Sequence, residues 1–128
     1  MADRVLLLLT ADGICREIPA AESVQPETLA ALLRTDVTER LRLSFAPAAL
    51  KNASLCYYIE ARGGEKGLSA NFCGTCFYHT GCPIFGDLLL ALSPDSAADE
   101  CAAGIPAETA EALKAWLKAE FPDFLTIT

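Results

Sequence analysis

The alternation of apolar and polar positions divides the chain into short strands and two clear helices. Val5 to Leu9 is an unbroken apolar run, the pattern of a central strand covered on both faces. Ala11-Asp12-Gly13 then supplies turn chemistry. Ile14, Arg16 and Ile18 alternate with Cys15 and Glu17, so the opening reads as a β-hairpin. Pro26 suits a first helical position, with Glu27 favourable in the first turn. Leu29, Leu32 and Leu33 follow at helical spacing, which predicts a short amphipathic helix over about 26–35. Leu41, Leu43 and Phe45 have strand period, and Pro47 closes that strand. Leu55, Tyr57, Ile59 and Ala61 alternate with Cys56, Tyr58, Glu60 and Arg62 as a further strand.

Gly63 to Gly67 reads as a turn, and Asn71 to Tyr78 as a short helix broken by Gly81-Cys82-Pro83. Ile84 to Leu92 is a strongly apolar strand with Gly86 and Asp87 early in it. A small-residue loop spans Asp95 to Gly104. Pro106 opens the longest helix, over 106–121, in which Ala110, Leu113, Trp116, Leu117 and Phe121 form one stripe. Pro122 ends it, and Phe124 to Ile127 reads as a tail or a last short edge strand. Strands outnumber helices without strict alternation. The expected fold is therefore α+β: a mixed or antiparallel sheet of about five strands with two or three helices on one face, the C-terminal helix packed across it.

The length of 128 residues fits one domain, 1–128, large enough to form a core without disulfides or metal. No apolar run approaches the ~20 residues of a membrane span or the core of an export signal. The expectation is a soluble cytoplasmic protein with no membrane partner, and six cysteines kept as thiols. A net charge of −7 argues against binding a nucleic-acid backbone. The charge is uneven: residues 1–33 carry net −3, residues 34–66 net +2 and residues 67–128 net −6. A mildly positive middle in an acidic chain suits a small anion or an acidic partner, or simply a solvated face.

The densest chemistry lies in Cys73-Gly-Thr-Cys76-Phe-Tyr-His79-Thr-Gly-Cys82-Pro83, four thiol and imidazole groups within ten residues. Zinc takes four such ligands in a tetrahedron, and iron–sulfur clusters use closely spaced cysteines ending in Cys-Pro. Positions three apart on a helix step by about 60° around its axis, so 73, 76 and 79 converge on one atom only if the segment is a loop. Cys73-Gly74-Thr75-Cys76 is also a C-x-x-C pair of the kind used in thiol exchange, but no strand runs directly into it. The reading preferred here is cysteine as a small buried apolar residue, with no cofactor. Gly63-Gly64-x-x-Gly67 lacks the lysine and hydroxyl residue of a phosphate loop. Any nucleophile–base pair would have to use His79, and no group is evident to orient it. The chain thus reads more as a binding protein than as an enzyme.

Gly67-Leu68-Ser69-Ala70-Asn71-Phe72-Cys73-Gly74-Thr75-Cys76-Phe77, followed by Pro83-Ile84-Phe85-Gly86-Asp87-Leu88-Leu89-Leu90, resembles a family of small phage- and mobile-element-borne bacterial proteins, a domain of unknown function. The resemblance covers roughly residues 55–92 and, elsewhere, the order of elements. It departs at Thr38 to Ser44, where the family is glycine-rich, and in the cysteines, which the family generally lacks. It implies a mobile-element setting and action by contact with a host protein or small ligand. On that basis Asn71, Thr75, Gly86 and Asp87 are the candidate ligand contacts. Cys73, Cys76, His79 and Cys82 are the alternative, as a metal or redox centre. Asn71 also suits a helix cap, and Gly86 a bulge or a close backbone approach.

Overall fold

The structure, a computed structural model, describes residues 4–21, 23–35, 38–42, 55–60, 67, 71, 85–92, 102–122 and 126–127, with backbone alone at 40–42 and 127. Its strands are β1 (Arg4–Leu9), β2 (Ile14–Ala20), β3 (Thr38–Arg42), β4 (Leu55–Glu60), β5 (Leu88–Leu92), β6 (Ile105–Pro106) and β7 (Thr126–Ile127). Its helices are α1 (Pro26–Leu33) and α2 (Ala107–Glu120). The class is α+β. The strands form one sheet in the order β3-β4-β5-β1-β2-β7, with β6 also paired to β1. All pairings are antiparallel except the short parallel contact of β7 with β2.

The Val5–Leu9 run is central, as its pattern requires. β1 faces β2 along its whole length and β5 at Leu7, Leu8 and Leu9. Continuing the β1–β5 register would set Leu92 opposite Val5. Instead Val5 pairs with Ile105, while Leu92 exchanges backbone hydrogen bonds with Ala103 at 2.9 and 3.1 Å. The segment entering α2 is thus wedged between β5 and β1. It is held on its far side by the paired backbones of Ala102 and Val24.

Two apolar layers fill the two faces of the sheet. On one, Leu7, Leu9, Tyr57, Leu88, Leu90 and Ile105 pack with Leu113 and Leu117 of α2. On the other, Leu6, Cys56, Tyr58, Leu89 and Ala91 pack with Leu29 of α1. The C-terminal helix packs on the sheet as its stripe predicts, but the two helices lie on opposite faces rather than together on one. That arrangement explains why β4 is buried at all six positions despite its alternating sequence. Tyr58 and Cys56 face the α1 layer while Tyr57 and Ile59 face the α2 layer.

Boundaries differ from the sequence reading where backbone chemistry decides them. β2 runs on to Ala20, because β1 offers partners as far as Arg4. β3 is described over Thr38–Arg42, with Thr38 opposite Glu60. The expected continuation through Leu43 and Phe45 lies outside the described residues. β5 begins only at Leu88, because Gly86 sits at φ 83, a left-handed conformation that interrupts an extended strand before it. α1 starts at Pro26 and stops at Arg34, which is itself left-handed at φ 56. The Thr35 N–H then reaches back to the Ala30 carbonyl, satisfying an acceptor that the helix end leaves open. No described helix is long and apolar enough to cross a membrane.

Candidate functional site

Three of the four candidate ligand residues meet at one end of the sheet. Gly13, at φ 88, lets the chain reverse between β1 and β2, and the Thr10 Oγ1 accepts the Ile14 N–H at 3.0 Å inside that turn. Asp87 leans on the same turn, its Oδ1 accepting the Ala11 N–H at 3.0 Å. Asn71 is buried, and its Nδ2 donates to the Leu9 carbonyl at 3.1 Å and to the Gly86 carbonyl at 2.9 Å. β7 closes the corner from the other side, where the Thr126 N–H donates to Gly13 O at 2.7 Å.

The corner is therefore built from side chains that satisfy main-chain groups where strands end. Both Nδ2 hydrogens of Asn71 are directed at carbonyls, and Asp87 supplies a carboxylate oxygen to a turn amide. A buried amide with both hydrogens engaged cannot also donate to a ligand without giving up a strand contact. Gly86 contributes its backbone shape and its carbonyl. Thr75, together with Cys73, Cys76, His79 and Cys82, lies outside the described residues. Among the described residues, no three His, Cys, Asp or Glu side chains gather as a metal would require.

A second polar group, which local sequence patterns did not single out, joins α2 to β2. Lys114 Nζ lies 2.6 Å from Glu17 Oε1 and 2.7 Å from Glu111 Oε1. The Glu111 hydrogen bond, then that of Glu17, pushes the Lys114 pKa up. Glu111 and Lys114 stand three apart on one helix, which is visible in sequence, but Glu17 lies 97 residues from Lys114. Beneath this group sits the buried Cys15 thiol. Burial raises its pKa to about 11, with Lys114 drawing it down and Glu17 pushing it up. A thiol held neutral in this way is a packing residue and a poor nucleophile. The other described cysteine, Cys56, is likewise buried.

Arg4 closes the opposite end of the sheet, its Nη1 donating to the Gly104 carbonyl at 2.9 Å. Comparison with protein-family models, with curated proteins and with solved structures gives no match.

Proposed function

We propose that the chain is a small cytoplasmic binding protein of phage or mobile-element type, acting by contact with a host protein or a small ligand. The observation that carries this reading is the use made of the polar corner. Asn71, Asp87 and Thr10 all bond to backbone there, so among the described residues the polar side chains of the corner serve the fold. The resemblance of residues 67–77 and 83–90 to a mobile-element family supports the setting. The uneven charge supports action through contact, since a positive middle within an acidic chain favours some partners and repels others.

The test joins two measurements on the purified full chain. Incubation with a bacterial lysate, followed by gel filtration and mass spectrometry, is expected to give a complex of fixed stoichiometry. Elemental analysis is expected to find well under one equivalent of zinc or iron. Stoichiometric metal, lost together with the fold on Cys76→Ser, would replace this reading with a metal centre at Cys73, Cys76, His79 and Cys82.

A further inference from the structure

We propose that the segment 102–106 is a removable wedge: when it leaves, β5 zips onto β1 and α2 comes away from the sheet. The exchange is a property of this chain alone and stands whether or not the binding reading does. In an antiparallel strand every second residue points its N–H and C=O to the same side. Leu92 pairs with Leu55 of β4 on one side and exchanges both backbone bonds with Ala103 on the other. Its groups therefore point away from β4, toward β1, as do those of Leu90, which faces Leu7. On β1 the Thr10 N–H donates to the Ile14 carbonyl, toward β2, so Leu7 and Val5, at the odd positions, point toward β5. Val5 and Leu92 thus turn complementary groups into one gap. Each is diverted to the wedge, Val5 to Ile105 and Leu92 to Ala103.

The side chains agree with the same register. Extending the β1–β5 pairing sets Leu6 opposite Ala91 and Val5 opposite Leu92. Leu6 and Ala91 already belong to the α1 layer, and Val5 and Leu92 to the α2 layer. Zipping therefore turns no side chain to the wrong face, as a one-residue slip would. The hold of the wedge on β1 is short: Pro106, opposite Arg4, has no N–H to donate, and the Arg4 guanidinium makes one bond to the Gly104 carbonyl.

The wedge runs without a break into α2, so its exit draws the helix with it and uncovers Leu113 and Leu117. That loss of burial keeps the zipped form a minor state of the free chain. What zipping restores is the backbone of the sheet: the Val5 and Leu92 groups freed by the wedge bond to each other rather than to water. Only contacts that differ between two states shift such an equilibrium, and the apolar stripe of α2 is the surface that differs here.

Native-state hydrogen exchange on the full chain tests it first. The amides of residues 102–121 are expected to exchange as one unit, about tenfold or more faster than those of Leu7 and Tyr57. The Val5 and Leu92 amides should keep the slower rate, because zipping pairs them again. One common rate for all these amides, or exchange of Val5 and Leu92 together with the wedge, would overturn the proposal. Disulfide trapping tests it a second time. With the wedge in place a chain segment separates positions 5 and 92, whereas zipping sets them face to face. The double variant Val5→Cys, Leu92→Cys, mildly oxidised and read by peptide mass mapping, should link 5 to 92, and the linked chain should lose protection in α2. Pro19→Cys with Ile105→Cys is the control, since these positions flank Val5 on its two sides and only unfolding brings them together. Equal linking of the two pairs, or no link between 5 and 92, would also overturn it. If the first double variant does not fold, hydrogen exchange on the unaltered chain decides.

Discussion

The side-chain amide of Asn71 donates to the carbonyl of Leu9 at 3.1 Å, across 62 residues of chain. The same nitrogen donates to Gly86 O, so one buried side chain ties the end of β1 to the approach to β5. Asn71→Ala removes both bonds and is expected to cost roughly 1–3 kcal/mol, read as a lower urea midpoint at unchanged slope. Asn71→Asp should cost more at neutral pH, because it turns a carboxylate oxygen toward two carbonyls. That carboxylate favours its protonated form in the fold, which raises its folded pKa. The extra loss should therefore shrink as pH falls toward the range where the acid is protonated. An aspartate variant as stable as wild type at neutral pH would remove the amide from this role.

Leu117 is fully buried on the α2 layer, while its neighbour Lys118 is exposed. Leu117→Ala should cost roughly 2–5 kcal/mol by lost transfer and cavity formation. Lys118→Ala should stay within about 0.5 kcal/mol. Chemical denaturation of the two variants decides it, and small equal effects would mean that α2 is not docked on the sheet.

Gly104 lies where the wedged segment passes the end of β2. A Cβ there would stand 2.5 Å from the Ala21 carbonyl oxygen and 3.0 Å from the Arg4 Cβ. Both neighbours belong to the sheet or its border, so relief requires backbone movement. Gly104→Ala is expected to cost roughly 1–3 kcal/mol as overpacking, visible as a lowered Tm. A neutral result would show that the segment can shift without loss.

Cys15 should resist alkylation at neutral pH in the folded chain and react once denaturant is added. Its raised pKa also fixes the sign of a pH effect. Its ordinary value is 9.0 and its folded value about 11, so the unfolded chain loses this proton first. The stabilising contribution is complete below pH 9 and is lost as pH rises through about 11. Cys15→Ala should flatten that part of the stability profile. Lys114→Met should push the Cys15 pKa higher still, since Lys114 is the group that draws it down.

Several elements could be read from local pattern because their cause is local. Val5 to Leu9 is apolar at every position, and only a strand covered on both faces accepts that run. Pro26 marks the start of α1 because a ring-fixed φ and a missing N–H are tolerated at a first helical position, whereas Pro106 stands in β6, one residue ahead of α2. Of the stripe Ala110, Leu113, Trp116, Leu117 and Phe121, all but Trp116 are buried, and Trp116 packs partly buried against the same layer. Gly86 was legible as a special backbone position, although its effect was to delay β5 rather than to bulge it.

Tertiary structure alone decided which faces the helices cover and what the polar residues bond. An amphipathic stripe says that a helix is covered, not on which side of the sheet, so α1 and α2 fall on opposite faces without any local signal. The wedge of residues 102–106 between β5 and β1 depends on register across the sheet, which loop composition does not encode. Asn71 could be recognised as a polar residue with a capping habit. Its bonds to Leu9 and Gly86 exist only because strands distant in sequence end at the same corner. The Lys114–Glu17 pair has the same origin, since the partner of a charged side chain is chosen by the packing of α2 beside β2. Hydrophobic period is a property of neighbouring residues, whereas a hydrogen-bond partner is a property of the assembled sheet.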